Sequence, residues 1–462
     1  MINYSIIKKS QLENGLRLDA EYYQPEYLNL VENLNNLGAV PIRDIAINPK
    51  RKFKPQKGKV FQYIEISEVD LSIGEYNKRE IFGEDAPDRA QWVVKQNDVI
   101  ISTVRPIRNA VSLIREDMNN LVCSSGFAVL KPEKIEPEYL FAYLKSRPIV
   151  KLLDRKTTAT MYPAIAIDDL LNTKIYLGDK GFREEIKNKV IEAQKELETS
   201  RNLYSQAENL LLEDLEFKDF KVEDDLSYIV NLSEIKFSHR ADAEYFQPKY
   251  EKLIKRMKEK VEMQELKTIA TTRRGSLIDP RFYDDTEGTP YIRGKDFSSG
   301  RLEKSGLVYI SRDFRPKNEI KVNSGDLVFA LIGSVGTSAL VSEEFNNSFI
   351  SNNTGKISIK NKKEILPEYL AIVLNSIVGK LQFEKEVTRT AQPKISDPQV
   401  RNFYIPILPK STQQKIADLV QKSHEARKKA KELLEEAKQK VENAIENEIN
   451  KEINKKSIFK FN

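Results

Sequence analysis

One phrase occurs twice in this chain: RLDAEYYQP at residues 17–25 and RADAEYFQP at residues 240–248. A near-identical stretch half a protein apart marks an internal duplication. It constrains the fold more than composition does, because whatever the first copy folds into, the second must fold into as well. Arg17 corresponds to Arg240 at an offset of 223 residues, NDVIIS from Asn97 to GDLVFA from Gly325 at 228, and PEYLFAYLKS from Pro137 to PEYLAIVLNS from Pro367 at 230. The drift follows from loops of unequal length, as expected of two diverged copies.

Both copies read alike at the level of elements. Each opens with the DAEY phrase and an amphipathic helix (YLNLVENL from Tyr27, YEKLIKRM from Tyr250) and continues through short apolar runs punctuated by Gly, Asn and Asp, the pattern of strands and turns. The PEYL segments place Pro in a first helical turn, where its missing N–H costs nothing. Each copy closes on a strand-like run, KIYL from Lys174 and YIPIL from Tyr404.

After each unit the texture changes to long, charged stretches almost without Gly or Pro. In the first, Ile186, Val190, Ala193, Leu197, Ser200, Tyr204, Ala207 and Leu211 recur at alternating steps of four and three, a heptad seam. The second carries Ile416, Val420, Ser423, Arg427, Ala430, Leu434, Ala437 and Val441 at the same offset of 230, with Arg427 the exception. Ser411 and Gln414, just past Pro409, have the spacing of a capping box. A narrow apolar stripe on a charged helix needs a partner in water. The economical partner is the other copy, and two equivalent helices in one chain pair most simply antiparallel under approximate two-fold symmetry. Residues 183–215 as a helix span roughly 50 Å. A homodimerisation coil remains the alternative that the heptad pattern alone allows.

The expected fold class is therefore α+β: two similar mixed α/β domains separated by two long helices pairing as an antiparallel coiled coil, a pseudo-two-fold internal repeat. The boundaries fall at 1–180 for the first domain, 181–216 for the first helix, 217–226 for an acidic-polar linker, 227–409 for the second domain, 410–456 for the second helix and 457–462 for a tail. At 462 residues two or more domains are the prior, and 40% hydrophobic residues suffice for real cores.

Exclusions narrow the chemistry. One cysteine, Cys123, forms no disulfide within the chain, and His239 and His424 assemble no zinc cluster of usual spacing. The start, MINYSIIKKS, has no apolar core segment of a signal peptide, and LVFALIGSVGTSALV from Leu327 is too short to span a bilayer. These point to a cytoplasmic protein with no membrane partner. GTPYIRGKD from Gly288 has one residue too many between its glycines for a phosphate-binding loop, and no G-x-G or N/D-P-P-Y occurs. Glu234, Ile235 and Lys236 with Asp225 upstream resemble a nuclease metal motif, but without a counterpart in the other copy, where Gln11 stands for Glu234. No catalytic, cofactor-binding or metal site is expected on this chain.

The net charge of +6 is mild, so any nucleic-acid footprint is local. NPKRKFKPQKGK, residues 48–59, holds Lys50, Arg51, Lys52, Lys54, Lys57 and Lys59 around Phe53 with no acid, a composition suited to phosphate contacts or to a solvated loop. Arg105 and Arg108 in STVRPIRNA and Arg155 and Lys156 in RKTTATMY extend the candidate set in the first copy. The second copy offers Arg273, Arg274, Arg281, Arg293, Lys295, Arg389, Gln392 and Lys394. Arg and Gln are the types that read guanine and adenine edges bidentately. Two units with one framework and different polar loops suit two readers of two different short sequences, with a stiff rod as ruler between them.

TRTAQPKISDPQVRNFYIPILPKSTQQKIA (388–417), GDLVFALIGSVGTSALV from Gly325, YIRGKDFSSGRL from Tyr291 and the DAEYFQP phrase resemble segments of type I restriction-modification specificity (S) subunits, in the order reading domain, helix, reading domain, helix. The first copy departs at Tyr162, where the pattern has Gln before Pro163. The resemblance implies a non-catalytic subunit with two target-recognition domains, each reading one half of a bipartite site in double-stranded DNA. It implies helices that set the spacer and hold two methyltransferase (M) subunits, in a prokaryotic cytoplasm. S-adenosylmethionine, ATP and Mg are then expected on partner subunits, the M subunits and restriction (R) subunits, and none on this chain. A methyltransferase or nuclease with an unrecognised site and a coiled-coil adaptor are the competing readings.

Overall fold

The computed structural model describes residues 5–9, 12, 17–158, 163–220, 225–284, 287–298, 300–304, 306–388 and 392–458, with side chains except those of 298 and 447–458. The chain divides into two compact units, Met1–Leu197 with Arg427–Asn462, and Glu198–Ala426, so the division runs through the two long helices.

In the first unit, helix α1 (Pro25–Asn36) precedes the short strands of two larger sheets: β1 (Ala46–Ile47), β2 (Val60–Ile64), β3 (Arg79–Phe82), β4 (Ala90–Val93), β5 (Val99–Ser102), β6 (Val111–Leu113), β7 (Leu121–Ser124) and β8 (Phe127–Pro132). Helices α2 (Pro137–Lys145) and α3 (Arg147–Arg155) follow, then the long α4 (Lys180–Asp214). The strands form two four-stranded sheets ordered β1-β8-β5-β6 and β3-β2-β7-β4, with β2 and β7 parallel. The apolar run VIIS is buried along its whole length, as a strand covered on both faces should be. Helix α2 packs Tyr139, Leu140, Tyr143 and Leu144 into one core with Val99, Val111, Ala128 and Leu130.

The second unit repeats the plan with α5 (Pro248–Lys260), β9 (Ala270–Arg274), β10 (Tyr283–Asp284), β11 (Thr289–Ile292), β12 (Val308–Ile310), β13 (Leu327–Ala330), β14 (Ser338–Leu340), β15 (Phe349–Ile350) and β16 (Thr354–Ile359). Helices α6 (Pro367–Asn375), α7 (Ile377–Glu386) and α8 (Lys410–Ile458) complete it. Its first sheet, β9-β16-β13-β14, matches the first sheet of the other unit strand for strand. Its second, β10-β12-β11-β15, keeps the central trio with β11 and β15 parallel, but its fourth strand adds to the opposite edge. Tyr63 and Tyr291 occupy the same place in the parallel pair, both buried. In both units Pro sits in the first turn of the PEYL helix.

The duplicated DAEY phrase forms a clip. Arg17 Nε donates to Asp19 at 2.6 Å and its terminal nitrogen to the Thr157 carbonyl at 3.2 Å. Arg240 repeats this with Asp242 at 2.8 Å and the Val387 carbonyl at 3.2 Å. Each guanidinium stacks on the tyrosine five residues on, 4.4 Å over Tyr22 and 4.5 Å over Tyr245. The bond to Arg17 holds the Asp19 carboxyl below its usual range, against a smaller upward push from burial. Tied thus to the end of the α3 or α7 helix, the phrase seats the helix that follows it.

The seam residues of α4 and α8 are buried, with Tyr204 and Arg427 half-buried. In the first unit Ile186, Val190, Ala193 and Leu197 share a core with Ala430, Leu434, Ala437 and Val441. Glu185 pairs with Lys440, Lys189 with Glu436 and Glu196 with Lys429, so numbers rise on one helix as they fall on the other. In the second unit Ala207 and Leu211 join Ile416 and Val420, Ser200 Oγ lies 3.0 Å from Ser423 Oγ, and Thr412 donates to Asp214 at 2.8 Å. Within each unit, then, the two helices pair antiparallel. Each fully buried aliphatic side chain contributes about 2 kcal/mol to holding the stripe closed.

Arg427 breaks the apolar seam because it reaches off it, to Asp70 at 2.8 Å and Glu75 at 2.6 Å. The expected capping box at Ser411 does not form. Helix α8 starts at Lys410, which puts Ser411 inside the first turn, and Gln414 instead bonds Asp418 at 2.8 Å. The neighbouring Gln413 ties the helix start to its unit, donating to the Glu364 and Leu408 carbonyls and accepting from the Leu366 N–H. Past α4 the chain does not enter solvent at once: Leu215 and Phe217 are buried in the second core, and Arg256 lies 5.2 Å over the Phe217 ring.

Candidate nucleic-acid interface

The basic candidates sort by what their charge is already doing. Arg51 pairs with Asp98, which is 1% exposed, and Asp98 also accepts from the Lys95 N–H at 2.7 Å. Burial pushes the Asp98 carboxyl up, and the Lys95 N–H and Arg51 pull against it. Arg293 forks onto Asp296 at 2.8 and 3.0 Å and donates to the Gly306 carbonyl. Arg155 is buried with its guanidinium 3.8 Å over Tyr22 and bonded to the Tyr22 carbonyl at 2.6 Å. Lys156 donates to the Asp169 carbonyl and to Thr173. These four guanidinium and ammonium groups hold the fold, whatever else they touch.

Others stand outward on loops that the backbone gathers at one end of each pair of sheets. In the second unit Arg274 Nε donates to the Asn352 carbonyl at 2.5 Å, the Gly275 N–H to Thr354 at 2.8 Å, the Leu331 N–H to Asn353 at 2.9 Å and the Ser351 N–H to Ile292 at 2.9 Å. The strand ends carrying Arg274, Arg293 and Ile332 therefore meet. A side chain at Gly294, next to the exposed Lys295, would touch the Ile332 and Asn353 carbonyls at 3.6 Å. The segment of Lys394, which pairs with Thr388 in an isolated bridge, docks on the same loop through Gly333 N–H to the Pro393 carbonyl at 3.1 Å. It presents Gln392 and Lys394 exposed. Arg273 lines an open polar groove with Lys321 and Lys356, and Arg281, exposed over Phe282, is not drawn into the cluster.

The first unit builds the same end. The Arg105 N–H donates to the Pro163 carbonyl at 2.7 Å, the Thr103 N–H to Gly126 at 2.8 Å and the Ile165 N–H to Thr103 at 3.0 Å. These correspond bond for bond to those of Gly333, Leu331 and Ile395. Lys52 pairs with Trp92 in an isolated bridge, and Lys50, Lys54, Lys57, Lys59 and Arg108 are exposed. The loop of Lys54–Lys59 lies against Gly83, where any side chain would collide with the Gln56 carbonyl at 2.1 Å. Arg389 and Tyr162 lie outside the described residues.

Cations absent from the sequence candidates arrive with the fold. Exposed Arg89 sits beside the cluster because its carbonyl accepts from the Ser125 N–H at 2.7 Å, next to Gly126. Arg312, Arg315 and Lys317 stand exposed on a loop that bonds back to Phe282 and Ser276. Phe314 among them, packed edge-to-face with Phe282 and Phe349, repeats the pattern of Phe53 among lysines and was the available signal. Among the described residues no group of three His, Cys, Asp or Glu side chains is placed to hold a metal, and no helix is long and apolar enough to cross a membrane. Cys123 lies buried in β7, where desolvation raises its thiol and keeps it protonated. Glu234 accepts from the Asn231 N–H at 3.1 Å and caps a short helix, which leaves its Glu-x-Lys a structural motif.

Residues 258–443 match the family of the type I restriction modification DNA specificity domain. The match spans 186 residues, under half of the chain. It covers the paired sheets of the second unit and most of α8, so the second unit's loop end and its helix lie within the match. Part of the chain is also similar to the type I restriction enzyme HindI specificity subunit of Haemophilus influenzae. The two are 27% identical over 107 residues, 22% of this chain and 23% of that protein. The chain thus matches less than a quarter of that curated relative's length. Similar solved structures are the HsdS subunit from Thermoanaerobacter tengcongensis, at 20% identity over 88% of this chain and 95% of that one with a TM-score of 0.33, and the type-I restriction-modification system S subunit from M. genitalium, at 15% identity over 87% and 95% with a TM-score of 0.36.

Proposed function

We propose that the chain is the non-catalytic DNA-specificity subunit of a type I restriction-modification complex. Each unit reads one half of a bipartite target in double-stranded DNA through its loop end. The paired helices set the spacer between the halves and, with the units, dock two methyltransferase subunits. S-adenosylmethionine, ATP and Mg belong to those and to restriction subunits, in the cytoplasm of a prokaryote.

One observation carries this reading. Two units hold their loop ends with the same backbone hydrogen bonds, yet put unlike polar residues there: Arg89, Arg105 and Arg108 in one, Arg274, Lys295, Gln392 and Lys394 in the other. Such a frame carries a duplicated task on two different sequences. Arg and Gln suit base edges, Lys the phosphates.

The test exchanges residues 1–177 for the same region of a related subunit, expresses the hybrid with its methyltransferase partners and maps methylated sites. One half of the recognised sequence changes and the other half and the spacer stay. A hybrid that alters both halves together, or wild-type chain that binds random and specific duplex alike, refutes the assignment.

A further inference from the structure

We propose that Arg105 is a base-reading residue of the first unit, and that the second unit has no reader at the equivalent position, Gly333. This rests on the specificity reading above and names one residue that sets what is specified.

Position is the first argument. Arg105 and Gly333 follow β5 and β13 by the same number of residues and make the same backbone bond, N–H to the carbonyl of Pro163 at 2.7 Å and of Pro393 at 3.1 Å. On either side the bonds of Thr103 and Leu331, and of Ile165 and Ile395, also correspond.

Conformation is the second. Both residues lie in the left-handed region, Arg105 at φ 50° and Gly333 at φ 82°. Glycine adopts that region freely; a long side chain rarely does, and residues held there cluster at ligand contacts. The frame needs a left-handed residue, which glycine supplies without strain and arginine does not.

The third is rigidity. Pro106 follows Arg105 with its ring-fixed dihedral, the 3₁₀ turn Pro106–Arg108 comes next, and Asn109, also left-handed at φ 58°, donates from its side chain to the Lys145 carbonyl at 2.9 Å. A phosphate contact tolerates a mobile cation on any loop. A guanidinium whose backbone is pinned on both sides suits the two parallel bonds to guanine O6 and N7, which require a set position.

The test uses the full chain with its methyltransferase partners, wild type against Arg105→Gly, Arg105→Asn and Arg105→Lys, with methylated sites mapped by sequencing. Asparagine tolerates the left-handed region and keeps the loop in shape. In the Gly and Asn variants one base position in one half of the target relaxes from guanine, discrimination there falling by about 10-fold to 100-fold, and every other position holds. Lysine, without the fork, does not restore it. An unchanged motif in both variants overturns the proposal and leaves the subunit's role standing. So does an even loss of affinity over all sequences with the salt slope reduced by about one, the mark of a phosphate contact. A wild-type complex without any sequence preference overturns the role itself.

Discussion

Arg427→Leu separates what the helix seam needs from what the first unit needs. Leucine is the residue at the equivalent seam position, Leu197, which is 6% exposed, so the stripe accepts it. What is lost is the guanidinium between Asp70 and Glu75, bonded at 2.8 and 2.6 Å with the three side chains only 14%, 14% and 19% exposed. Removing one partner of a buried pair costs about 3–5 kcal/mol because the remaining charge stays dehydrated. Residual exposure and the bonds that Asp70 keeps from Ser72 and Ile73 reduce that to about 2–4 kcal/mol. The chain has a single tryptophan, Trp92, in β4, so urea unfolding followed by its fluorescence reports the first unit selectively.

The pH dependence makes the test specific. Burial pushes Asp70 up, but the Arg427 charge and the Ser72 and Ile73 bonds outweigh it and the carboxyl sits below its usual range. A carboxyl depressed on folding stabilises above its unfolded pKa, about 3.9, and that stability is lost as pH falls through the folded value. Without Arg427 burial dominates and the sign reverses: the variant gains stability as pH falls from 7 toward 5. The gap between wild type and variant is widest at pH 7 and narrows in acid, and adding Asp70→Asn and Glu75→Gln to the variant recovers most of it. A variant as stable as wild type at pH 7, or no recovery in the triple mutant, refutes the account.

Three further outcomes follow. Lys145, fully buried with its ammonium on the Leu71 and Asn109 carbonyls, is pushed down to about 7 by burial and, less, by Lys438. The unfolded chain therefore holds a proton that the folded one releases between pH 7 and about 10, wild-type stability rises across that window relative to Lys145→Met, and a flat difference by Trp92 fluorescence would sink the assignment. Arg105→Gly relieves a left-handed arginine and raises the first unit's stability by up to about 1 kcal/mol, in opposition to its effect on DNA reading. Replacing Lys54, Lys57 and Lys59 by alanine weakens duplex binding evenly across sequences and flattens the slope of log affinity against log salt by about 0.9 per lost phosphate contact.

The duplication, the seam and the PEYL helices were legible because each is a periodicity or a repeated phrase, and local order sets both. The interface was legible only as a list of cations. A lysine or arginine in a basic stretch looks the same whether its partner is a phosphate or a carboxylate far along the chain: Arg51 meets Asp98, and Arg155 goes inward beneath Tyr22. Conversely Arg89 lies in no basic run and reaches the loop end through a backbone bond to Ser125. The capping box at Ser411 failed for a related reason, since the helix starts two residues earlier than that box requires, at Lys410, and it is Gln413 rather than Gln414 that ties its first turn to the unit. The outer strands, added at opposite edges in the two second sheets, differ in a register of pairing that no spacing encodes.

The two units also keep their bonds while exchanging the side chains that make them. The turn carboxylate is Asp98 in one and Asp326 in the other, yet its basic partner comes from Arg51 before it in the first and from Lys356 after it in the second. The second cation over the DAEY tyrosine, beside Arg17 or Arg240, is Arg155 in one and Lys385 in the other. The unit's hold on its helices is Arg427 reaching from α8 to Asp70 in the first, and Arg301 reaching to Ser200 and Ser423 at 3.3 and 3.2 Å in the second. What stays the same is the set of backbone bonds that closes the loop end. Backbone groups are indifferent to the side chain they carry, so a frame closed by them leaves its tips free to differ. A pair of readers for two unlike half-sites needs that freedom, and the frame restricts it at one point, the left-handed residue that is arginine in one unit and glycine in the other.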